Sequence, residues 1–289
     1  IHIMKKTVVY DLETIVNLIT CCLYDVDTGK KKQFVLYTDL QQFIDFCTFL
    51  ERLKKHKYTM IGFNNINFDA QIIEFILKNY KDWLDNQYSM EYIIGFIYGK
   101  AQELINLTDE TRWDYLIPEY KLSIPQIDLF KQKHYDGKAK MGTSLKWIQF
   151  TIRYKNIEEM PIQHDTYITE DMIESILVYN WNDVDSTYAF YEKIKFETDL
   201  RVELTARYDK NLINASEPRM AKEILGKFLS ESMKISYSDL KKMRTFRKEI
   251  PVNKIIFPYI KFDTFELKAV LEAFKALIIN PKEKQTFDY

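Results

Sequence analysis

Two periodicities divide the first third of the chain. Thr7 to Glu13, Asn17 to Tyr24 and Gln33 to Thr38 are runs of β-branched, aliphatic and aromatic residues, the composition of strands. Asp27 to Lys31, D-T-G-K-K, supplies a turn between the second and third, and three strands so closely joined predict an antiparallel meander. The period then changes. Leu40, Phe43, Phe46, Cys47 and Leu50 recur at three- and four-residue steps, which predicts a helix over Asp39 to Lys54. Tyr58 to Phe63 predicts another strand and Asp69 to Trp83 another helix. Residues 84 to 120 predict a mostly helical insertion, Ile124 to Phe130 a strand, and Thr143 to Tyr154 a helix. A long helical stretch follows from about Glu170 to Tyr208, with Thr169 as N-cap and Glu170 and Asp171 in the first turn, where the helix dipole favours acids. A further helix covers roughly Glu217 to Ser230. From about Ser236 the tail alternates basic clusters with short apolar pieces and carries no core of its own. The pattern shows no internal repeat and no low-complexity segment.

Composition narrows this α/β picture. At 289 residues, with 46% hydrophobic and 29% charged positions, the chain can bury a substantial core and disorder is not the default. The 41 basic and 42 acidic residues leave a net charge of −1, so any binding of nucleic acid has to be local. Aromatic residues are unusually frequent, with 20 Tyr, 19 Phe and 4 Trp making up 15%; a surplus of exposed rings would suit base stacking on single strands. Cys21, Cys22 and Cys47 form no Cys-x-x-Cys pair, which fits a reducing cytoplasm rather than a disulfide framework or a thiolate zinc site. No apolar run approaches the length of a membrane span, and a soluble, cytoplasmic protein is expected. Ile1-His2-Ile3 before Met4 reads as a cloning remnant and is left out of fold reasoning.

Three short stretches carry candidate chemistry. In V-V-Y-D-L-E-T, Asp11 and Glu13 are two apart on a predicted strand and share a face, with Leu12 turned away. Like charges held together raise each other's pKa unless a cation sits between them, and an all-oxygen pair suits Mg²⁺ or Mn²⁺ better than zinc. In G-F-N-N-I-N-F-D-A-Q, residues 62 to 71, a strand ends, an Asn-rich turn follows and Asp69 opens a helix. That acid is either the helix's cap or a third carboxylate at the strand's C-terminal edge, where α/β sites gather. In Y-N-W-N-D-V, residues 179 to 184, Tyr179 and Asp183 are four apart on a helix and stack on one face. Each stretch alone has a bland reading, as a solvated strand end, a cap or a core tyrosine. Their order does not.

An acid pair on the first strand, an Asp after Asn-x-x-x-Phe and a late Tyr-x-x-x-Asp together make the chain resemble the DEDDy 3′–5′ exonucleases. It is most similar to the proofreading domain of family B DNA polymerases, in particular those of tailed phages. Asp11 and Glu13 match the first motif, Asn64, Phe68 and Asp69 the second, with Asn65 fitting the variant spaced one residue shorter, and Tyr179 and Asp183 the third. Position 178, where the histidine branch carries its base, is Val178. I-D-L-F, residues 127 to 130, and T-S-L-K-W, residues 143 to 147, look like the family's Asp-Leu strand and single-strand-binding element, and Lys155 like a lysine used near the scissile phosphate. The element order, three strands, helix, strand, helix, is the opening order of the same ribonuclease-H-like exonuclease fold, a mixed central sheet flanked by helices, here with a mostly helical C-terminal extension.

The resemblance covers roughly residues 5 to 235 and implies an exonuclease domain over 4–200 followed by an extension over 201–289. It implies a metal-dependent 3′–5′ exodeoxyribonuclease in which Asp11, Glu13, Asp69 and Asp183 bind two Mg²⁺ or Mn²⁺ ions about 4 Å apart. Asp11 would bridge both ions, Glu13 and Asp183 would hold the ion at the attacking water, Asp69 the ion at the leaving oxygen, and Tyr179 would orient the water. Asn64 or Asn65, Phe68, Ser144, Leu145 and Lys155 would grip a single-stranded DNA 3′ end. His2, His56, His134 and His164 have no role in this chemistry. Asp128 is either support for the site or a strand-end acid, and Asp185, round the helix from Asp183, is outside it. Polymerase palm motifs are not present, so the chain is expected to be either the N-terminal part of a longer polymerase or a free-standing exonuclease, and the implied partner is a polymerase domain or other replisome proteins in an infected host's cytoplasm. The alternatives are a ribonuclease-D-like RNA trimmer and an inactive binding or scaffold module. K-K-M-R-T-F-R-K, residues 241 to 248, is either a phosphate-backbone contact or a solvated basic face.

Overall fold

In the computed structural model, residues 6–108, 110–133, 143–163, 165–243 and 247–280 are described, the side chain of Trp113 apart. His2, His134, His164 and the middle of the basic run, 244–246, lie outside them. The strands β1 (Thr7–Ile15), β2 (Leu18–Asp25), β3 (Lys31–Leu36), β4 (Thr59–Gly62) and β5 (Gln126–Asp128) form one mixed sheet in the order β3-β2-β1-β4-β5. The first three make the expected antiparallel meander, while β1, β4 and β5 run parallel. β2 alone opposes the rest, so the C-terminal ends of β1, β4 and β5 lie along one edge.

Alternation along β1 sorts the chain into two layers. Val8, Tyr10 and Leu12 enter the larger core with α1 (Leu40–Lys55), α2 (Asp69–Asp85) and α3 (Met90–Ile105). Val9 packs on the other face with α7 (Ile173–Lys193), which lies against β1 and β2. Asp11 and Glu13 have the same parity as Val9, and so the sheet hands both carboxylates to α7. Asp39 caps α1 by accepting the Gln41 N–H at 2.9 Å, while Arg52, Lys54 and Lys55 occupy its last turn, where the dipole favours cations.

The stretch 84–120 is mostly helical: Met90, Ile93, Ile94, Ile97, Ala101 and Leu104 of α3 are buried in the larger core, and α4 (Arg112–Tyr115) follows. Four expectations change. The strand predicted over Ile124–Phe130 stops at Asp128, because the Asp128 carboxylate accepts the N–H groups of Phe130 and Lys131 and starts α5 (Leu129–Lys133). The helix predicted over Thr143–Tyr154 is shorter, α6 (Leu145–Thr151), capped by Ser144. The long helix predicted from Glu170 to Tyr208 is a 3-10 turn, α7 and α8 (Lys195–Tyr208), with Ile194 leaving helical geometry at φ −109°, ψ 16°. Thr169 precedes the 3-10 turn, but its hydroxyl donates to Asp171 at 2.6 Å instead of accepting a helix N–H.

The chain divides into two compact units, Ile1–Ile224 and Leu225–Tyr289. The boundary expected at 200/201 falls inside α8, beside Arg201, whose fully buried guanidinium donates to the carbonyls of Gln132, Glu197 and Ala215. These bonds hold α8 within the first unit, and the division comes later, within α9 (Glu217–Met233). The second unit carries α10 (Tyr237–Lys242), α11 (Phe265–Lys275) and a two-stranded ribbon, β6 (Ile250–Pro251) with β7 (Ile278–Ile279). Val252 is the one buried apolar side chain among its described residues, in keeping with a tail that lacks a sizeable core. No helix among the described residues is long and apolar enough to cross a membrane.

Candidate metal centre

Asp11 and Glu13 of β1 meet Asp183 of α7, and one carboxylate oxygen from each lies within 4.8 Å of the others. Glu13 and Asp183 are each 8% exposed and Asp11 is half-buried, so water screens the charges of Glu13 and Asp183 little. Burial first, then Glu13, Asp69 and Asp183, push Asp11 well above the usual carboxylate range. Burial, then Asp183 and Asp69, do the same to Glu13. Asp183 is raised to about 6 by burial, although the Tyr179 hydroxyl, Lys146 and Gln149 all favour its charged form. Like carboxylates held so closely need a cation or a proton between them. Three oxygen donors gathered this closely suit a hard divalent ion better than a soft one.

Asp69 opens α2 just beyond the end of β4 and lies outside this group of three. Its Oδ1 accepts the Leu12 N–H at 3.2 Å, and burial raises it to about 7. Its charge nonetheless acts on both Asp11 and Glu13, so it borders the centre from the side of the parallel strands. The turn that delivers it is held by Asp128, which is fully buried and accepts the N–H groups of Asn64 and Ile66 at 2.9 and 3.3 Å. Asp128 therefore supports the site by fixing that turn. Asp185 sits apart, paired with Lys31 at 2.8 Å.

The two asparagines left open in the sequence separate cleanly. Asn64 is exposed in the left-handed region at φ 59°, where asparagine is tolerated, and its side chain accepts from Asn67. Asn65 is fully buried and donates to Gln126 at 2.8 Å and towards the Tyr10 hydroxyl. As a strand-gripping residue Asn65 is thus corrected: its amide belongs to the core. Phe68 and Leu145 are half-buried and Ser144 is exposed, its Oγ engaged as the cap of α6. Lys155 is exposed with no ion pair among the described residues. The lysine whose charge acts on Glu13 and Asp183 is Lys146, which lies over the Tyr179 ring at 5.6 Å and pairs with Glu159 at 3.0 Å.

Sequence reasoning passed over the residues that hold the acids in place. Asn180 donates to Asp11 at 2.7 Å and accepts from Thr20 at 3.1 Å. Its position three before Asp183 on the same helix was the available signal. Gln149 of α6, fully buried, donates to Asp183 at 3.3 Å and to Ser186 at 2.8 Å; nothing in the sequence marks it. On the outer side of α6, Trp147 and Phe150 stack on each other while 60% and 66% exposed. No protein-family profile matches this chain, and no curated protein matches it.

Proposed function

We propose that the chain is a metal-dependent 3′–5′ exonuclease of the ribonuclease-H-like class that removes nucleotides from single-stranded DNA ends. The observation that carries the reading is the meeting of Asp11, Glu13 and Asp183 from β1 and α7, with Asp69 alongside. A strand order of β3-β2-β1-β4-β5 with β2 reversed is compatible with that fold class. Asp11, Glu13, Asp69 and Asp183 would hold two Mg²⁺ or Mn²⁺ ions. Bound there, such ions polarise a phosphate and lower the pKa of water.

The chain's own groups divide the remaining work. Asn180 fixes the Asp11 carboxylate, and Gln149 fixes Asp183. Tyr179, whose phenol burial and Asp183 keep protonated, places a hydroxyl donor beside the reacting water. Lys146 adds positive charge facing the phosphate, a part assigned from sequence to Lys155. Asn64, Phe68, Ser144 and Leu145, with the exposed Trp147–Phe150 stack, would receive the unpaired end. Stacking of this kind tolerates any base. Water adds across the P–O3′ bond, releasing a nucleoside 5′-monophosphate and a shortened strand with a new 3′-hydroxyl. Proofreading beside a polymerase domain is the setting in which such trimming is useful, and that domain or other replisome proteins are the proposed partners.

The test compares 5′-labelled DNA and matched RNA oligonucleotides with Mn²⁺ present. Wild type should shorten the DNA from its 3′ end, and the Asp11→Ala, Glu13→Ala double variant should lose at least a thousandfold in rate while melting cooperatively. Digestion by that variant at the wild-type rate would sink the proposal, and preferential shortening of RNA would move it to ribonuclease-D-like trimming.

A further inference from the structure

Away from the acidic centre, on the larger-core face and near the start of β1, lies a cavity of about 450 Å³, a size that accommodates small organic ligands. Val8, Leu23, Leu53 and Phe49 give it apolar walls, and Tyr58 adds a second ring. Lys6, Lys30, Lys32 and Arg52 converge on it from three elements, the start of β1, the β2–β3 hairpin and the last turn of α1. None of these four side chains forms an ion pair among the described residues. Lys6 donates to the neutral carbonyl of His56 at 3.3 Å, and Lys32 lies over the Phe34 ring at 4.9 Å. Lys31, also at the cavity, is committed to Asp185.

The one acid in the lining, Asp25, is already occupied. Its carboxylate accepts the N–H groups of Asp27 and Thr28 at 3.1 and 2.8 Å and the hydroxyl of Tyr58. What sets this place apart is the gathering of four cations around one apolar hollow whose single lining acid is already engaged. The dipole of α1 accounts for Arg52 at its C-terminal end but not for the lysines contributed by β1 and the hairpin. Gathered cations repel one another, and an anion between them relieves the repulsion. Walls bearing Phe49 and Tyr58 ask for a flat apolar body attached to that anion.

We propose that this cavity binds a nucleoside 5′-phosphate, its base against Phe49 and Tyr58 and its phosphate between Lys6, Lys30, Lys32 and Arg52. The assignment stands on the cavity alone and holds whether or not the acidic centre is a nuclease.

Calorimetric titration of the full chain in chelator, with AMP, adenosine and inorganic phosphate at one low salt concentration, tests it. AMP should bind at one site, with adenosine and phosphate each at least tenfold weaker. Lys32→Ala with Arg52→Ala, both exposed in the folded chain, should weaken AMP by tenfold or more with an unchanged melting temperature. The Asp11→Asn, Glu13→Gln variant should bind AMP as wild type does. Absence of AMP binding at millimolar concentration, equal affinity for inorganic phosphate, indifference to the rim variant, or loss of binding in the acidic-centre variant would each overturn the proposal.

Discussion

Asn65 and Asn64 are neighbours with opposite fates, decided by the close approach of chain to chain at Gly62. A Cβ on Gly62 would stand 2.7 Å from that of Asn65, so only glycine leaves room for the buried amide. Asn65→Ala removes a donor from Gln126 and Tyr10 inside the core, which should cost about 2 kcal/mol of stability. Asn64→Gly keeps the left-handed backbone that Asn64 adopts and removes only the exposed side chain. Urea unfolding should show Asn65→Ala destabilised and Asn64→Gly close to wild type. Affinity for single-stranded DNA should behave the opposite way, falling for Asn64→Gly alone. A matching loss of affinity with no loss of stability in Asn65→Ala would contradict the placement. The sequence narrowed the second motif to these two positions but could not choose between them, because the choice depends on Gly62, Tyr10 and Gln126, brought together by the fold.

α6 shows how an element can be found from its pattern while the face it buries stays hidden. Its apolar residues predict a helix, yet a hydrophobic reading would bury Trp147 and Phe150 and expose Gln149. The structure does the reverse: Gln149 finds Asp183 and Ser186 as hydrogen-bond partners inside, and both rings stand exposed. The break between α7 and α8 was equally hidden: Ile194 is neither Gly nor Pro, and it is buried with the core of α7. Both features come from tertiary contacts that local periodicity does not encode. Gln149→Leu tests the inward face of α6. The Gln149 amide favours the charged form of Asp183, so its removal should raise the Asp183 pKa from about 6. The acidic limb of the pH–rate profile should then move to higher pH, with a rate loss of about tenfold at neutral pH that shrinks in alkaline buffer. An unshifted limb with a uniform rate loss would assign Gln149 to packing alone.

Across the whole molecule, the layered sheet and the sequence order of the acids were legible early, because strand alternation and a face-sharing acid pair are local properties. The later division of the units was not, as it rests on Arg201 and its three carbonyl partners. What the assembled fold adds is electrostatic stress. Asp11 and Glu13 are raised, Asp69 stands at about 7 and Asp183 at about 6, against about 4 for carboxylates in an unfolded chain. Between about pH 4 and 7 the folded state therefore binds more protons than the unfolded one, and stability falls as pH rises. The contribution is fully present below the unfolded values and lost once pH passes the folded ones. In chelator, the melting temperature of the main transition should decline from pH 5 to pH 8. Divalent ions bind the deprotonated carboxylates, so stabilisation by millimolar Mn²⁺ should grow over the same range and flatten or reverse the decline. Asp11→Asn with Glu13→Gln removes two of the stressed charges. This variant should melt above wild type in chelator at pH 8, slope less with pH and respond little to Mn²⁺. If it instead melts lower than wild type at pH 8 and keeps the full Mn²⁺ response, the acids are not the source of the stress and the ion binds elsewhere.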